Sequence, residues 1–518
     1  MIAIGGAIGT GLIIGTGRAL ANSGPGSLFI GYLFMGAIVW VVMCAVGEMA
    51  AWLPMSAGFA GYATRYCHPS LGFALGWSYL FKYLIITPNQ LTAAALAFQF
   101  WVDRDTVNPG VFIAIFLIAI FCINFFGGIK FFGEFEFWLS SFKVVVILGI
   151  ILFSLCIACG AGPHADGAPG FRSWSDPGAF KELAPLTGDV GRFAGFWAVM
   201  VNATFAYLGT ELVGVTAAEA QSRAAVSKAI KLTFYRILIF YCLSVLLVGM
   251  IVPWDSPQMA FALDSPSTNA NASPFVAAAN IAGVQVLPHI LNVCILFFVF
   301  SAANSDLYIG SRTLYALASD RSAPAIFKLT NARGVPYPAM FVCTAFALLA
   351  FLNVTDDSRT VFLYFVNLVT IFGLLTWVSI LVSHIFFIRA RRAQGIEDSQ
   401  LTFKAPLGIW GSYVALFFCI LVSLTKNFDI FIDDGEPFDY RTFITGYLGI
   451  PVYIIFLFGH MYLTKSKGVK PAEADFYLGR DIVEAQEAEY YAAEEAKKAS
   501  APTGHWDAFY RRYIAWLF

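Results

Sequence analysis

Apolar positions in this chain come in long unbroken stretches, not in the alternating or one-faced patterns of soluble elements. Stretches of about 20 apolar residues, the length that crosses a bilayer as a helix, recur near 2–21, 27–52, 72–100, 110–129, 137–159, 193–216, 232–253, 285–312, 337–354, 361–388, 408–428 and 441–464. The pattern predicts an all-α polytopic membrane protein, with twelve transmembrane helices over 1–464 and a polar tail over 465–518. Ala472 to Ala499 is rich in Ala and Glu and predicts a helix. The tail closes on HWDAFYRRYIAWLF, an aromatic, basic and amphipathic segment expected to lie on the inner membrane surface.

An even number of spans puts both termini on one side, and charge says which. With a cytoplasmic N-terminus, the inner loops hold Arg65, Lys130, Arg223, Lys228, Arg312, Arg321, Lys328, Arg333, Arg389, Arg391, Arg392 and Lys404, then Lys465, Lys467 and Lys470. The outer loops hold Arg104, Arg172, Lys181, Arg192 and Arg359. That is about three to one in favour of cytoplasmic termini by the positive-inside rule. Asn271-Ala272-Ser273 is an outer-loop glycosylation sequon, weakened by Pro274.

Composition agrees with the pattern. The chain of 518 residues is 58% hydrophobic and 13% charged, with mean hydropathy +0.71, about half the usual charge of a soluble domain. A net charge of −1 excludes a nucleic-acid binder driven by bulk electrostatics. Nine cysteines are scattered singly, mostly inside apolar runs, and read as packing residues; Cys156 and Cys159 form a CxxC within ILFSLCIACG and read the same way. No basic n-region or small-residue cleavage site precedes the first apolar run, so no cleaved leader is expected. No metal cluster or nucleophile–base arrangement is evident, so neither a cofactor nor enzyme chemistry is expected.

Chemistry is expected where spans carry glycine clusters, prolines or ionisable groups, since a charge at mid-membrane costs about 2.5–3.5 kcal/mol. AIGGAIGTGLIIGTG, residues 3–17, packs six glycines into fifteen positions. A nucleotide loop fails on context: only four residues precede Gly5, and Gly17 is followed by Arg18-Ala19 where a Walker loop has Lys-Ser/Thr. Two explanations remain, close helix packing through Gly5, Gly9, Gly11 and Gly15, or a helix break at Gly9-Thr10-Gly11 whose freed N–H groups hold an anion. The sixth span, FWAVMVNATFAYLGTELVGVTAAEA, places Glu211 at mid-membrane just after Gly209-Thr210, a second candidate break. The third, GWSYLFKYLIITPNQLTAAALAFQFW, holds Lys82, Pro88, Asn89 and Gln90, with Lys82 and Asn89 expected on one face about 10 Å apart. Asp306 lies deep in the eighth span, paired with Arg312 or protonated; Glu48 reads as a loop-anchoring or gating residue. His68, His289, His384 and His460 lie at span ends or on apolar faces and read as structural.

IGGAIGTGLIIGTG, GEMAAWLP (47–54), FAYLGTELVGVTAAEA (205–220) and SAANSDLYIGSRTLYALA (301–318) resemble the fungal amino-acid permeases of the amino acid–polyamine–organocation superfamily. The resemblance implies two inverted five-helix repeats plus two extra helices, with the first and sixth helices broken around the substrate. It also implies proton-driven uptake across the plasma membrane. Carried over, Gly9, Thr10 and Gly11 would offer N–H groups to the substrate carboxylate. Phe205, Ala206, Tyr207 and Gly209 would lie at the matching break, offering carbonyls to the α-ammonium, with Phe205 or Tyr207 as an aromatic gate. Glu211 would serve proton coupling and gating. Lys143 would stand where sodium sits in sodium-coupled cousins, its alternative being a snorkelling lysine at the inner end. Family chains usually begin with a long polar segment, and here Met1 already opens the first span. The tail is an expected docking place for trafficking or ubiquitination machinery.

YLFKYLIITPNQLTAAALAFQFW, FFGEFEFWLSSFKV, AIKLTFYRILIFY, VLPHILNVCILFFVFSAANSDLY and FDYRTFITGYLGIPVYII are similar to the dicarboxylic amino-acid permease branch, as is the closing WDAFYRRYIAWLF. Many relatives that carry neutral or basic amino acids have Pro-x-Glu where this chain has Pro88-Asn89-Gln90, and a neutral residue where it has Lys82. Together these imply a carrier of glutamate and aspartate, with Lys82, Asn89 and Gln90 at the substrate. The alternatives are a general or neutral amino-acid permease of the same fold, and a non-transporting amino-acid sensor.

Overall fold

Helices form wherever the apolar runs lie, because in hydrocarbon every backbone N–H and C=O must be satisfied within its own segment. The computed structural model describes residues 9–55, 57–102, 104–161, 167–212, 214, 222–257, 273–354, 358–433, 435 and 437–500, and of 129, 130, 358, 359 and 494–500 the backbone alone. The start of the first predicted span, the sequon asparagine and the closing HWDAFYRRYIAWLF lie outside the described residues. The described residues contain helices and no strand, and nine of the helices are long and apolar enough to cross a bilayer.

The first element, α1, runs over Thr16–Trp52 and is entered through a π-helical turn at Gly11–Gly15. Its two predicted spans meet at Gly24, whose φ of 81° lies where side chains are strained; Pro25 follows and removes one N–H. A side chain at Gly24 would come within 2.7 Å of the Ala179 carbonyl, and the N–H of Gly26 donates to that same carbonyl at 2.7 Å. The break is therefore sealed by the loop ahead of the sixth span. The short α2 (Gly58–Tyr66) leads into α3 (Pro69–Phe98), which starts on Pro69 under a His68 cap and passes Pro88 without ending. The 50-residue α4 (Pro109–Ala158) fuses two predicted spans across a single non-helical residue, Gly128 with φ 69°.

After α5 (Gly188–Tyr207) come α6 (Arg223–Ile251, with a π-helical turn at Ile237–Leu243), the short α7 (Pro274–Ile281) and α8 (Leu287–Ser319). Then follow α9 (Tyr337–Ala347), α10 (Ser358–Ala393), α11 (Gly408–Thr425), α12 (Tyr440–Tyr447 continuing as Gly449–Thr464) and α13 (Arg480–Ser500). The most apolar window of Thr360–Ala393 is 83% buried against 17% for Tyr440–Thr464, so α10 is central and α12 peripheral. Exposed Trp138, Val145 and Leu152 of α4 and Trp410 and Phe417 of α11 belong to an outer belt that is at home in lipid. Cys156 on α4 and Cys159 at its C-terminal cap are exposed and form no disulfide.

Glu48, near the C-terminal end of α1, is wholly buried and anchors a loop: it accepts from the Ala405 N–H at 2.8 Å and lies 3.3 Å from His384 Nε2, whose Nδ1 meets Ser412 Oγ at 2.7 Å. His68 caps α3, His289 accepts from Trp101, and His460 meets Ser70. The tail helix starts at Arg480, eight residues later than Ala472, because the segment before it, after a single 3-10 turn at Pro471–Glu473, runs irregularly against the bundle. Phe476 is fully buried against Trp52, Tyr66 and Phe387.

Candidate functional site

The second candidate break, read at Gly209-Thr210, begins two residues earlier, after Tyr207. Helix α5 stops there, Leu208 turns extended (φ −60°, ψ 140°), and Gly209 takes φ 95°. At the same level α1 begins as a π-helical turn. A Cβ on Gly11 would stand 2.6 Å from Ala206 Cα and 3.0 Å from the Phe205 carbonyl, so glycine is what lets the two backbones touch.

A cavity opens at that contact, lined by Gly9, Thr10 and Gly11, by Lys82, Tyr83, Ile86 and Gln90 of α3, by Phe205, Ala206, Leu208 and Gly209, and by Asp306 of α8. Nine of the thirteen residues singled out from the sequence as binding or coupling thus share one space. A polar chain crosses it: Thr10 Oγ1 donates to Gln90 Oε1 at 3.0 Å, and Gln90 Nε2 donates to Asp306 Oδ2 at 3.4 Å. That chain ties the start of α1 to α3 and α8. Arg312 does not pair with Asp306; it lies over the Tyr308 ring at 4.2 Å.

Glu211 stands at the α5 break and is fully buried. Its Oε2 accepts from the Gly209 N–H at 3.0 Å and from Trp377 Nε1 of α10 at 3.4 Å, and its Oε1 accepts from Lys82 Nζ. The ammonium also lies 5.2 and 4.8 Å from the ring centroids of Tyr79 and Tyr83. Two charges in so dry a place are held by each other and by these dipoles. Lys82, expected at the substrate, lines the cavity and is paired with Glu211.

Besides Glu211 at its edge, three sequence-based candidates lie outside the lining. At about 100° per residue, Ile86, Gln90 and Tyr83 stand about 40°, 80° and 100° round α3 from Lys82, whereas Asn89 stands about 20° to the other side. Asn89 is buried off the cavity. Tyr207 is turned into the scaffold: its hydroxyl donates to the Tyr32 carbonyl at 2.9 Å, its ring lies 4.6 Å from that of Tyr241, and its carbonyl accepts from Thr210 Oγ1. Lys143 does not snorkel: its side chain is fully buried on α4, within electrostatic reach of Glu136 and Asp306. Sequence reasoning missed Tyr83, Ile86 and Trp377. The first two follow from Lys82 by helical spacing; Trp377 comes from a distant span and left no such signal.

A family model described as "Amino acid permease" matches residues 1–470. The chain belongs to the amino acid permease family. It is 50% identical over its whole length to the dicarboxylic amino acid permease of Saccharomyces cerevisiae, covering 85% of that protein. It is 38% identical, again over its whole length, to that yeast's general amino-acid permease, covering 84% of it. A manganese transporter of Eremococcus coleocola superposes with a TM-score of 0.55 over 90% of this chain and 92% of its own at 14% identity, a likeness of fold alone. The permease is thus a multi-pass membrane transporter of amino acids, and the polar cavity between α1, α3, α5 and α8 is its candidate binding site.

Proposed function

We propose that this permease is a proton-coupled importer of acidic amino acids, L-glutamate and L-aspartate, working by alternating access in the plasma membrane with both termini cytoplasmic. The frame is twelve crossings, a five-plus-five inverted repeat with helices 1 and 6 broken at the substrate, and two further helices.

The observation that carries the reading is the Lys82–Glu211 pair at the cavity edge. A protonated Glu211 no longer needs Lys82, and the freed ammonium is then available to a carboxylate on the substrate side chain. Proton and acidic substrate favour each other's binding, which is what a symporter requires. An arginine or lysine side chain would meet the same freed cation and be repelled. The substrate α-carboxylate would be held at Gly9, Thr10 and Gly11, next to Phe205 and Ala206, with Gln90 and Asp306 opposite. The relative named a dicarboxylic amino acid permease supports the same substrate class.

Competition uptake in a permease-deficient cell tests the substrate: labelled glutamate should be displaced by aspartate and not by leucine or arginine. Displacement by leucine would favour a general permease. Lys82→Gln should weaken glutamate uptake more than that of any neutral amino acid, and Glu211→Gln should abolish accumulation driven by a pH gradient. Undiminished accumulation in the Glu211 variant would reject its coupling role.

A further inference from the structure

We infer that Glu136 is a second proton-carrying group, set behind the cavity wall, and that it makes import of an acidic substrate electrogenic. The inference rests on the proton-coupled, acidic reading above. Glu136 lies on α4 and is fully buried. Its Oε1 accepts from Ser301 Oγ of α8 at 2.7 Å and from Ser140 Oγ, one turn along its own helix, at 3.4 Å. Its Oε2 is buried too and has no hydrogen-bond partner among the described residues.

An ionised carboxylate has about four acceptor sites over two oxygens, and buried ones are normally met. Here both donors converge on one oxygen, and Ser305 Oγ of α8, buried beside the carboxyl and without a hydrogen-bond partner of its own among the described residues, is available to accept from the other. That is the arrangement of a carboxyl whose proton sits on Oε2, with Oε1 as the accepting carbonyl. Lys143, seven residues along α4, lies within electrostatic reach of Glu136 and of Asp306, and Asp306 stands five residues from Ser301 on α8. Of the other charged groups on helices packed against α4, Lys82 of α3 is engaged by Glu211, and Arg236 of α6 lies within reach of Glu211 and Tyr241. Asp306 is reached by Lys82, which Glu211 engages, as well as by Lys143, whereas Glu136 has Lys143 alone. Asp306 is ionised between the two lysines while Glu136 is neutral, and Glu136 holds one exchangeable proton.

Charge balance gives that proton a purpose. An acidic amino acid carries two carboxylates and one ammonium, a net charge of −1. A single proton on Glu211 leaves the loaded carrier's cargo neutral and indifferent to the membrane potential. A proton taken up on Glu136 Oε2 from the outside and released from the same atom to the inside makes the cargo positive; the O–H bond is the only bond made or broken.

Glutamate flux, proton flux and current in proteoliposomes of the full chain test this. The wild type should take up two protons with each glutamate and pass inward current. Glu136→Gln, fixed in the neutral form, should take up one, lose the current and keep glutamate counterflow, and Glu136→Asp should restore the current. A Glu136→Gln variant with unchanged proton ratio and current overturns the inference. So does a wild type that takes one proton without current, which leaves the acidic, proton-coupled reading standing. Glutamate accumulation with no proton flux would sink that reading and this inference together. Should Glu136→Gln fail to fold, Ser301→Ala serves: losing a donor to the ionised form favours the protonated one, so the current-against-pH curve should move to higher pH, and an unmoved curve counts against Glu136.

Discussion

Lys82 and Glu211, 129 positions apart in the chain, form a fully buried ion pair that joins the middle of α3 to the break after α5. Removing one partner of such a pair leaves an uncompensated buried charge and costs about 3–5 kcal/mol. Lys82→Gln and Glu211→Gln should each lower the midpoint of thermal unfolding in detergent, while the double variant recovers most of the loss. A double variant no more stable than the worse single one would show that the pair is not what holds the two elements together.

Gly11 and Gly9 look alike in the sequence and differ in the fold. A Cβ at Gly11 would meet backbone, Ala206 Cα at 2.6 Å and N at 2.9 Å, and backbone there cannot swing aside. At Gly9 the nearest atom is Gln90 Nε2 at 3.9 Å, an ordinary contact. Gly11→Ala should therefore abolish uptake while Gly9→Ala retains it, with surface expression measured in parallel. Equal uptake by the two variants would refute the close approach of α1 and α5.

The contrast shows where sequence reading reached its limit. Apolar run length announced long apolar helices, nine of which among the described residues could cross a bilayer, and Gly209 and Gly11 announced the irregular backbone, because both are properties of a single segment. Partners were not legible. That Lys82 is spoken for by Glu211, that Trp377 donates to the same carboxylate, and that Tyr207 serves Tyr32 are all facts about packing between distant helices. Asn89 was misplaced by a small rotation: two turns of helix return to nearly the same face, but the lining arc extends from Lys82 toward Gln90 and not the other way. Glu136 was passed over because it opens a span, where a carboxylate ordinarily faces water; its burial depends on α8.

Gln90 keeps a neutral amide beside Asp306, at 3.4 Å. Gln90→Glu would place a second carboxylate there, and two such neighbours cannot both ionise without penalty, so one holds its proton to higher pH. Glutamate uptake by Gln90→Glu should fall at neutral pH and recover partly as the medium is acidified, with neutral amino acids gaining on acidic ones in competition. A variant whose pH profile and selectivity match the wild type would remove Gln90 and Asp306 from the substrate's surroundings.

The tail is strapped to the helix ends on its own side of the bundle. Val469 N–H donates to the Cys67 carbonyl at 2.8 Å, Gln394 Nε2 to the Ala474 carbonyl at 2.6 Å, and Trp52 Nε1 to the Phe476 carbonyl at 3.1 Å. Arg65 pairs with Asp475 at 3.1 Å, and Arg223 with Glu487 at 2.8 Å. Truncating a buried phenylalanine typically costs about 3–5 kcal/mol, more than surface pairs of this kind return. Phe476→Ala should therefore release the segment, seen as faster protease cleavage between Val469 and Arg480 in inside-out vesicles. Arg223→Ala should loosen only α13. Partial burial raises the Asp475 carboxyl, but the N–H groups of Leu478 and Tyr477 and the Arg65 guanidinium outweigh it and hold it below the ordinary carboxylate range. A carboxylate depressed on folding contributes its stabilisation above its unfolded value of about 3.9 and loses it as pH falls through the lower, folded one. Tail cleavage in the wild type should accordingly stay flat from about pH 8 to pH 5 and rise below about pH 4. A steady rise between pH 8 and pH 5 would place the responsible group elsewhere than Asp475.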